Sequence, residues 1–90
     1  MIPKERIQEV KDKDIVSLCE NLGMELSKNG RNYITLCPFH VENKPSFTIN
    51  PQKNLWYCFG CGNGGDTIKL YMKMKNVNFV KAIDELSTLV

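Results

Sequence analysis

The residues of this chain best suited to chemistry are its four cysteines, Cys19, Cys37, Cys58 and Cys61, and its single histidine, His40. Cys37-Pro38-Phe39-His40 and Cys58-Phe59-Gly60-Cys61 each hold two donors with two residues between them, and residues 41–57 separate the pairs. Two such knuckles bring three thiolates and an imidazole within reach of one tetrahedral Zn²⁺. Four protein donors leave no open position for water, so the expected ion is structural and not hydrolytic. Soft donors select Zn²⁺ over Mg²⁺ or Ca²⁺, with Fe²⁺ in a reduced site as the alternative. In zinc-finger peptides such sites are worth about 10–16 kcal/mol, as much as the stability of a whole domain.

Two disulfides would be the reading of four cysteines in a secreted protein. The opening Met1-Ile2-Pro3-Lys4-Glu5-Arg6 lacks the apolar stretch of a secretory signal, so reduced thiols and a cytoplasmic location are expected. No apolar run approaches the ~20 residues of a membrane span. A thiol redox protein using Cys58 and Cys61 is a further alternative, and it would hold no stoichiometric metal. No acidic pair suggests a two-metal centre, so no catalytic centre is expected in these residues.

The elements that must position the donors follow from periodicity. Ile7 and Val10 predict an N-terminal helix that Pro3 can start. Asp14 caps a second helix with apolar positions Ile15, Leu18, Cys19 and Leu22, closed by Gly23. Cys19 lies on that apolar stripe and is expected to be a buried small side chain, not a fifth ligand. From Met24 the pattern alternates. Lys28-Asn29-Gly30-Arg31 is hairpin-turn chemistry, followed by strands at 32–36, 45–49 and 55–58. In the first of these, Ile34 and Leu36 share one face, and Arg31, Tyr33 and Thr35 the other. Gly60, Gly62, Gly64 and Gly65 surround Cys61 and read as tight turns that aim amides at sulfur. Asp66 caps a helix with Ile68, Tyr71 and Met72 on one stripe. Val77-Asn78 interrupts it, and a last helix repeats Phe79, Ala82, Ile83, Leu86 and Val90. The expected fold class is α+β: a zinc ribbon with a small antiparallel β-sheet flanked by helices. Residues 1–90 form one domain, with N-terminal helices over about 3–23, the ribbon over about 25–65 and C-terminal helices over about 66–90.

Ninety residues and 10.3 kDa suit one domain, 42% hydrophobic and 24% charged. Its folded surface is expected at roughly 5,400 Å², a third of the unfolded value. So thin a core wants a staple. The net charge of +2 is uneven: residues 1–24 hold four Lys/Arg against five Asp/Glu, and residues 25–81 eight against three. Three thiolates and one Zn²⁺ change the net charge to +1 (+2 + 2 − 3), so the ion does not create the basic region. Six of eight aromatics (Tyr33, Phe39, Phe47, Trp56, Tyr57, Phe59) fall between residues 33 and 59. Rings beside Lys and Arg on a small sheet hold single-stranded nucleic acid by stacking and ion pairing, although a small domain needs most of its rings for its core. Phe47 and Phe59 are expected there. Tyr33, sharing a face with Arg31, is the better solvent-facing platform, and at most one of Trp56 and Tyr57 can join it. Lys69 and Lys73, four apart and close to the second knuckle, are further candidate contacts. Lys81 reads as a solvated helix face.

Arg31-Asn32-Tyr33, Leu36-Cys37-Pro38-Phe39-His40, Pro45-Ser46-Phe47, Cys58-Phe59-Gly60-Cys61-Gly62 and Gly64-Gly65-Asp66 resemble the N-terminal zinc-binding domain of bacterial DnaG-type DNA primases. The resemblance extends to Ile2-Pro3, Asp14-Ile15-Val16 and Phe79-Val80-Lys81-Ala82, and so covers nearly the whole chain. It implies one structural Zn²⁺ on Cys37, His40, Cys58 and Cys61. It also implies a sheet face that engages single-stranded template DNA and helps to choose initiation sites for RNA primer synthesis. Arg31 and Tyr33 take template-contact positions, with Lys44, Trp56, Lys69 and Lys73 as further candidates. Lys44 stands one position later than the family's lysine, and Tyr57 stands where many members have histidine. The implied partners are a primase polymerase domain, in cis or in trans, and a replicative helicase. The alternative function is a zinc-stabilised protein–protein module of a replication complex or mobile element.

Overall fold

The computed structural model describes residues 2–39, 41 and 44–89. Pro3 has no amide hydrogen to leave unpaired, and it sits at the N-cap of helix α1, Lys4–Lys11. The Asp14 carboxylate accepts from Ser17 N at 3.1 Å and starts α2, Ile15–Asn21, satisfying one of the free amides of its first turn. Gly23, at φ +88°, takes the left-handed position that ends it.

Five short strands follow among the described residues: β1 Ser27–Asn29, β2 Asn32–Thr35, β3 Phe47–Asn50, β4 Leu55–Cys58 and β5 Asn63–Gly65. They pair antiparallel in sequence order. Asn29 pairs with Asn32 across a two-residue turn whose first position, Gly30, has φ +64°. Leu36 falls beyond β2 and is 51% exposed, so it does not share a buried face with Ile34. β3 starts at Phe47, two residues later than Pro45. A proline at Pro45 has no N–H for a ladder. The Gly-rich segment after Cys61, expected to be all turn, instead contains β5, which pairs Gly64 with Tyr57 and Gly65 with Trp56.

Two longer helices complete the fold, α3 Thr67–Lys75 and α4 Phe79–Leu89. Asp66 caps α3 through Lys69 N at 2.9 Å, and Asn78 caps α4 through Lys81 N at 2.8 Å. Between them Asn76 adopts φ +55°. α3 packs on β5, α1 and α4. The core runs from Val10, Leu18 and Leu70 to Phe47, Ile49, Trp56 and Cys58 on one face of the sheet. Thr67 Oγ1, fully buried, donates to Val10 O at 2.8 Å and ties α3 to the end of α1. Asn54, in the β3–β4 turn at φ +58°, bridges the two N-terminal helices. It accepts from Ile15 N at 2.9 Å and donates to Lys11 O and Lys13 O at 2.9 and 2.7 Å. The sheet's other face carries no helix in the described residues; Ile34, Thr48 and Asn50 are half-buried there, and Leu55 and Tyr57 are exposed.

Candidate metal centre and open sheet face

Three thiols converge at one end of the sheet. Cys37 follows β2, Cys58 ends β4, and Cys61 lies in the turn to β5. Their sulfurs all lie within 4.8 Å of one another. Two sulfurs on one Zn²⁺, with bonds of about 2.3 Å at tetrahedral angles, stand about 3.8 Å apart. Cys37 Sγ and Cys61 Sγ are 3.8 Å apart, so this pair already stands at zinc spacing, with Cys58 Sγ within 4.8 Å of both. His40 lies outside the described residues. The knuckle that leads to it is anchored by Phe39, whose ring meets those of Trp56 and Phe47 at 5.6 and 6.2 Å.

The backbone around the thiols donates to sulfur. Phe39 N points at Cys37 Sγ at 3.4 Å, and Gly62, at φ +71°, closes the second knuckle by donating to Cys58 O at 2.8 Å. Burial acts to raise the Cys58 thiol, but hydrogen bonds from Ser46, Cys37 and Cys61 outweigh it and lower it to about 7. Burial pushes Cys37 up to about 12, and sharing protons with Cys58 and Cys61 adds to this. A divalent cation reverses that cost, since a coordinated thiol is deprotonated outright. Cys19 is fully buried in α2 and pushed up to about 12, chiefly by burial. It stands apart from the sulfur cluster, as its place on an apolar stripe implies.

Register decides which rings can meet a ligand. Cys58 pairs with Phe47, and Trp56 with Ile49, on the face that holds the core. Trp56 is 2% exposed, stacked on Phe47 at 5.2 Å, and its Nε1 donates to Asp66 O at 3.0 Å. Its ring is therefore closed to a base. Tyr33 pairs with Ile49 and is half-buried against the same core, with Lys28 Nζ 4.7 Å from its ring centre. The expected Arg31–Tyr33 platform is thus split: Arg31 is exposed in the hairpin turn, and Tyr33 faces inward. The solvent-facing rings of the ribbon are Tyr57, 44% exposed, and Phe59, 73% exposed rather than in the core, packed edge to face at 4.9 Å. Alternation contains the signal for this pair. Once Cys58 is held inward by the metal, Trp56 goes with it, and Leu55, Tyr57 and Phe59 must point the other way.

A groove of about 600 Å³ runs over this open face beside Asn32, Thr48, Asn50, Leu55, Tyr57 and Phe59. Lys53 and Lys69 line it as well, and among the described residues no Asp or Glu does. Lys73, one turn along α3 from Lys69, instead lies over the Phe39 ring at 5.0 Å, beside the first knuckle. Lys44 is exposed ahead of β3.

Three thiols presented by knuckles at one end of an antiparallel sheet, with helices packed against a single face of that sheet, define a zinc ribbon. Residues 2–90 match the CHC2 zinc finger family model, and the chain belongs to that family, the zinc-binding domain of DnaG-type DNA primases. It is 43% identical over 88 residues to a DNA primase of Halalkalibacterium halodurans, covering 96% of this chain and 14% of that protein. A DNA primase of Staphylococcus aureus (strain COL) is 47% identical over 81 residues, covering 89% of this chain and 13% of that one. The crystal structure of the Aquifex aeolicus primase zinc-binding and RNA polymerase domains superposes with a TM-score of 0.85 at 40% identity. That match covers 91% of this chain and 20% of that one. The chain thus spans about one-seventh of the curated relatives it matches. No helix of the described residues is long and apolar enough to cross a membrane.

Proposed function

We propose that this chain is the template-reading module of a DNA primase, and that it holds single-stranded DNA on its open sheet face while a polymerase domain, in cis or in trans, makes the RNA primer. The observation that carries this reading is the Tyr57–Phe59 pair, exposed on a helix-free face in a groove that, among the described residues, is lined by two lysines and no carboxylate. Only an unpaired base can cover an aromatic side chain, because bases in a duplex already cover one another. Arg31, Lys44 and Lys73, outside the groove, would meet flanking phosphates.

His40 completes the zinc site as its fourth donor in this proposal, and the ion fixes the ends of β2 and β4 beneath the face. No acidic cluster in the sequence suits nucleotidyl transfer, so the chain contributes template and not chemistry. It works in the cytoplasm, where thiols stay reduced, and a replicative helicase would deliver the single strand. The alternative is a protein-docking role for Leu55, Tyr57 and Phe59. The flanking lysines favour a polyanion.

The two groove cations alone predict a log–log salt slope of about −1.4 for single strands, and the three flanking cations extend it to about −3.5. One stacked base adds about 1–3 kcal/mol. Affinity should therefore be micromolar or weaker, and tethering to a polymerase domain would raise the local concentration. Anisotropy titration of the zinc-loaded protein against a labelled single strand and its duplex tests this. Salt-sensitive binding that prefers the single strand is expected. Absence of single-strand binding at low salt would refute the proposal.

A further inference from the structure

Two glycines of β5 carry no turn. Positive φ among the glycines is confined to Gly23, Gly30 and Gly62, so Gly64 and Gly65 sit in backbone that any residue can adopt. Glycine weakens a strand, because it orders more backbone and packs no side chain. Some close approach must account for its choice at two successive positions.

That approach is visible at each. A Cβ on Gly64 would stand 2.7 Å from Tyr57 Cδ1 and 2.9 Å from the Trp56 carbonyl oxygen. Gly64 is the cross-strand partner of Tyr57, and the tyrosine ring lies down over the bare strand. A Cβ on Gly65 would stand 2.7, 3.0 and 3.2 Å from Cδ, Cβ and Cγ of Lys69, so the lysine stem lies against this residue. Tyr57 and Lys69 line the same groove.

We infer that Gly64 and Gly65 are the positioning residues of the sheet-face site: Gly64 sets the ring of Tyr57 for a base, and Gly65 sets the reach of Lys69 for its phosphate. This rests on the open face binding single-stranded DNA. Each glycine then has a separate signature. Stacking releases no counterions, so displacing the ring weakens binding equally at every salt concentration. Displacing a phosphate-pairing cation changes the salt slope.

The test is an anisotropy titration of zinc-loaded Gly64→Ala, Gly65→Ala, Tyr57→Ala and the Gly64→Ala, Tyr57→Ala double variant. The ligand is a labelled oligothymidylate of about 12 nucleotides, over a salt series, with zinc content and melting measured alongside. Gly64→Ala should weaken binding by about 5- to 150-fold with the slope unchanged, the range expected for one lost stack. In the Tyr57→Ala background its effect should shrink well below that, since the ring is gone and only the 2.9 Å approach to the Trp56 carbonyl oxygen remains. Gly65→Ala should flatten the slope by about 0.7, one phosphate's worth on a single strand. Wild-type binding by zinc-loaded Gly64→Ala, with Tyr57→Ala impaired, overturns the inference and leaves the function standing. Unimpaired binding by Tyr57→Ala overturns the sheet-face reading itself. Should Gly64→Ala lose zinc, Gly65→Ala decides alone, because the three atoms nearest its added methyl all belong to the Lys69 stem: an unchanged slope is fatal.

Discussion

Replacing Asn54 by alanine removes three hydrogen bonds that join the β3–β4 turn to the α1–α2 junction, those to Ile15 N, Lys11 O and Lys13 O. At about 0.5–1.5 kcal/mol each, and with the bonds only partly buried, their loss amounts to about 2 kcal/mol. Asn54 also sits at φ +58°, where a residue with a Cβ and no local polar group costs about 1 kcal/mol more. The expected destabilisation is therefore about 3 kcal/mol, or a fall in melting temperature of about 12–24 °C for a domain of this size. Asn54→Gly separates the two contributions: it loses the same bonds but relieves the strain, and should recover about 1 kcal/mol of the deficit. Denaturation at fixed free zinc measures both, since ligand concentration shifts apparent stability. Zinc content should stay at one equivalent, because no bond of Asn54 reaches a cysteine. A variant within 1 kcal/mol of wild type, or a glycine no better than alanine, would show that the junction is held by other contacts.

A strong chelator, or Cys58→Ser, should unfold the ribbon and shift the emission of Trp56, the only tryptophan, to the red; a metal-free sample with unchanged circular dichroism and melting would contradict a stapled core. Cys19→Ala should lose about 1–2 kcal/mol through its cavity and keep full zinc occupancy, and loss of the ion in that variant would make Cys19 a ligand. Burial and the 2.6 Å hydrogen bond from Tyr71 Oη to Glu85 push that phenol from 10.0 up to about 12. The fold favours its neutral form, so its contribution is complete below about pH 10 and lost as pH rises toward 12, and Tyr71→Phe should flatten that alkaline decline in a melting series. Arg31→Ala should leave melting unchanged and flatten the single-strand salt slope by at most about 0.7, whereas Tyr33→Ala should lower stability because its ring packs on the core; a lower melting point for Arg31→Ala alone would invert that assignment.

The helices were legible because each carries both its stripe and its punctuation. Asp14 and Asp66 cap where their spacing predicts, and Ile15, Leu18 and Cys19 bury together. The sulfur cluster was legible from two CxxC-type spacings, which constrain geometry before any fold is known. Facing was harder. Residues 31–36 alternate, yet alternation alone assigns two faces without saying which is buried. Only the β2–β3 register, with Tyr33 opposite Ile49, turns that ring inward. For residues 55–59 the missing step was available, since Cys58 as a ligand fixes its neighbours' directions. β5 escaped because its Asn-Gly-Gly sequence has almost no strand propensity and exists as a strand through its pairing with β4. The close approach of the Tyr57 ring to Gly64 and of the Lys69 stem to Gly65 appears only in the folded chain.

The most direct measurement of the central claim is a ¹⁵N chemical-shift titration of the zinc-loaded protein with a short single-stranded oligonucleotide. Binding on the open face predicts salt-sensitive shifts at Thr48, Lys53, Tyr57, Phe59 and Gly64, with the amides of α1 and α4 still. Shifts confined to α1 and α4, around Arg6 and Lys81, or no shifts at low salt, would contradict it.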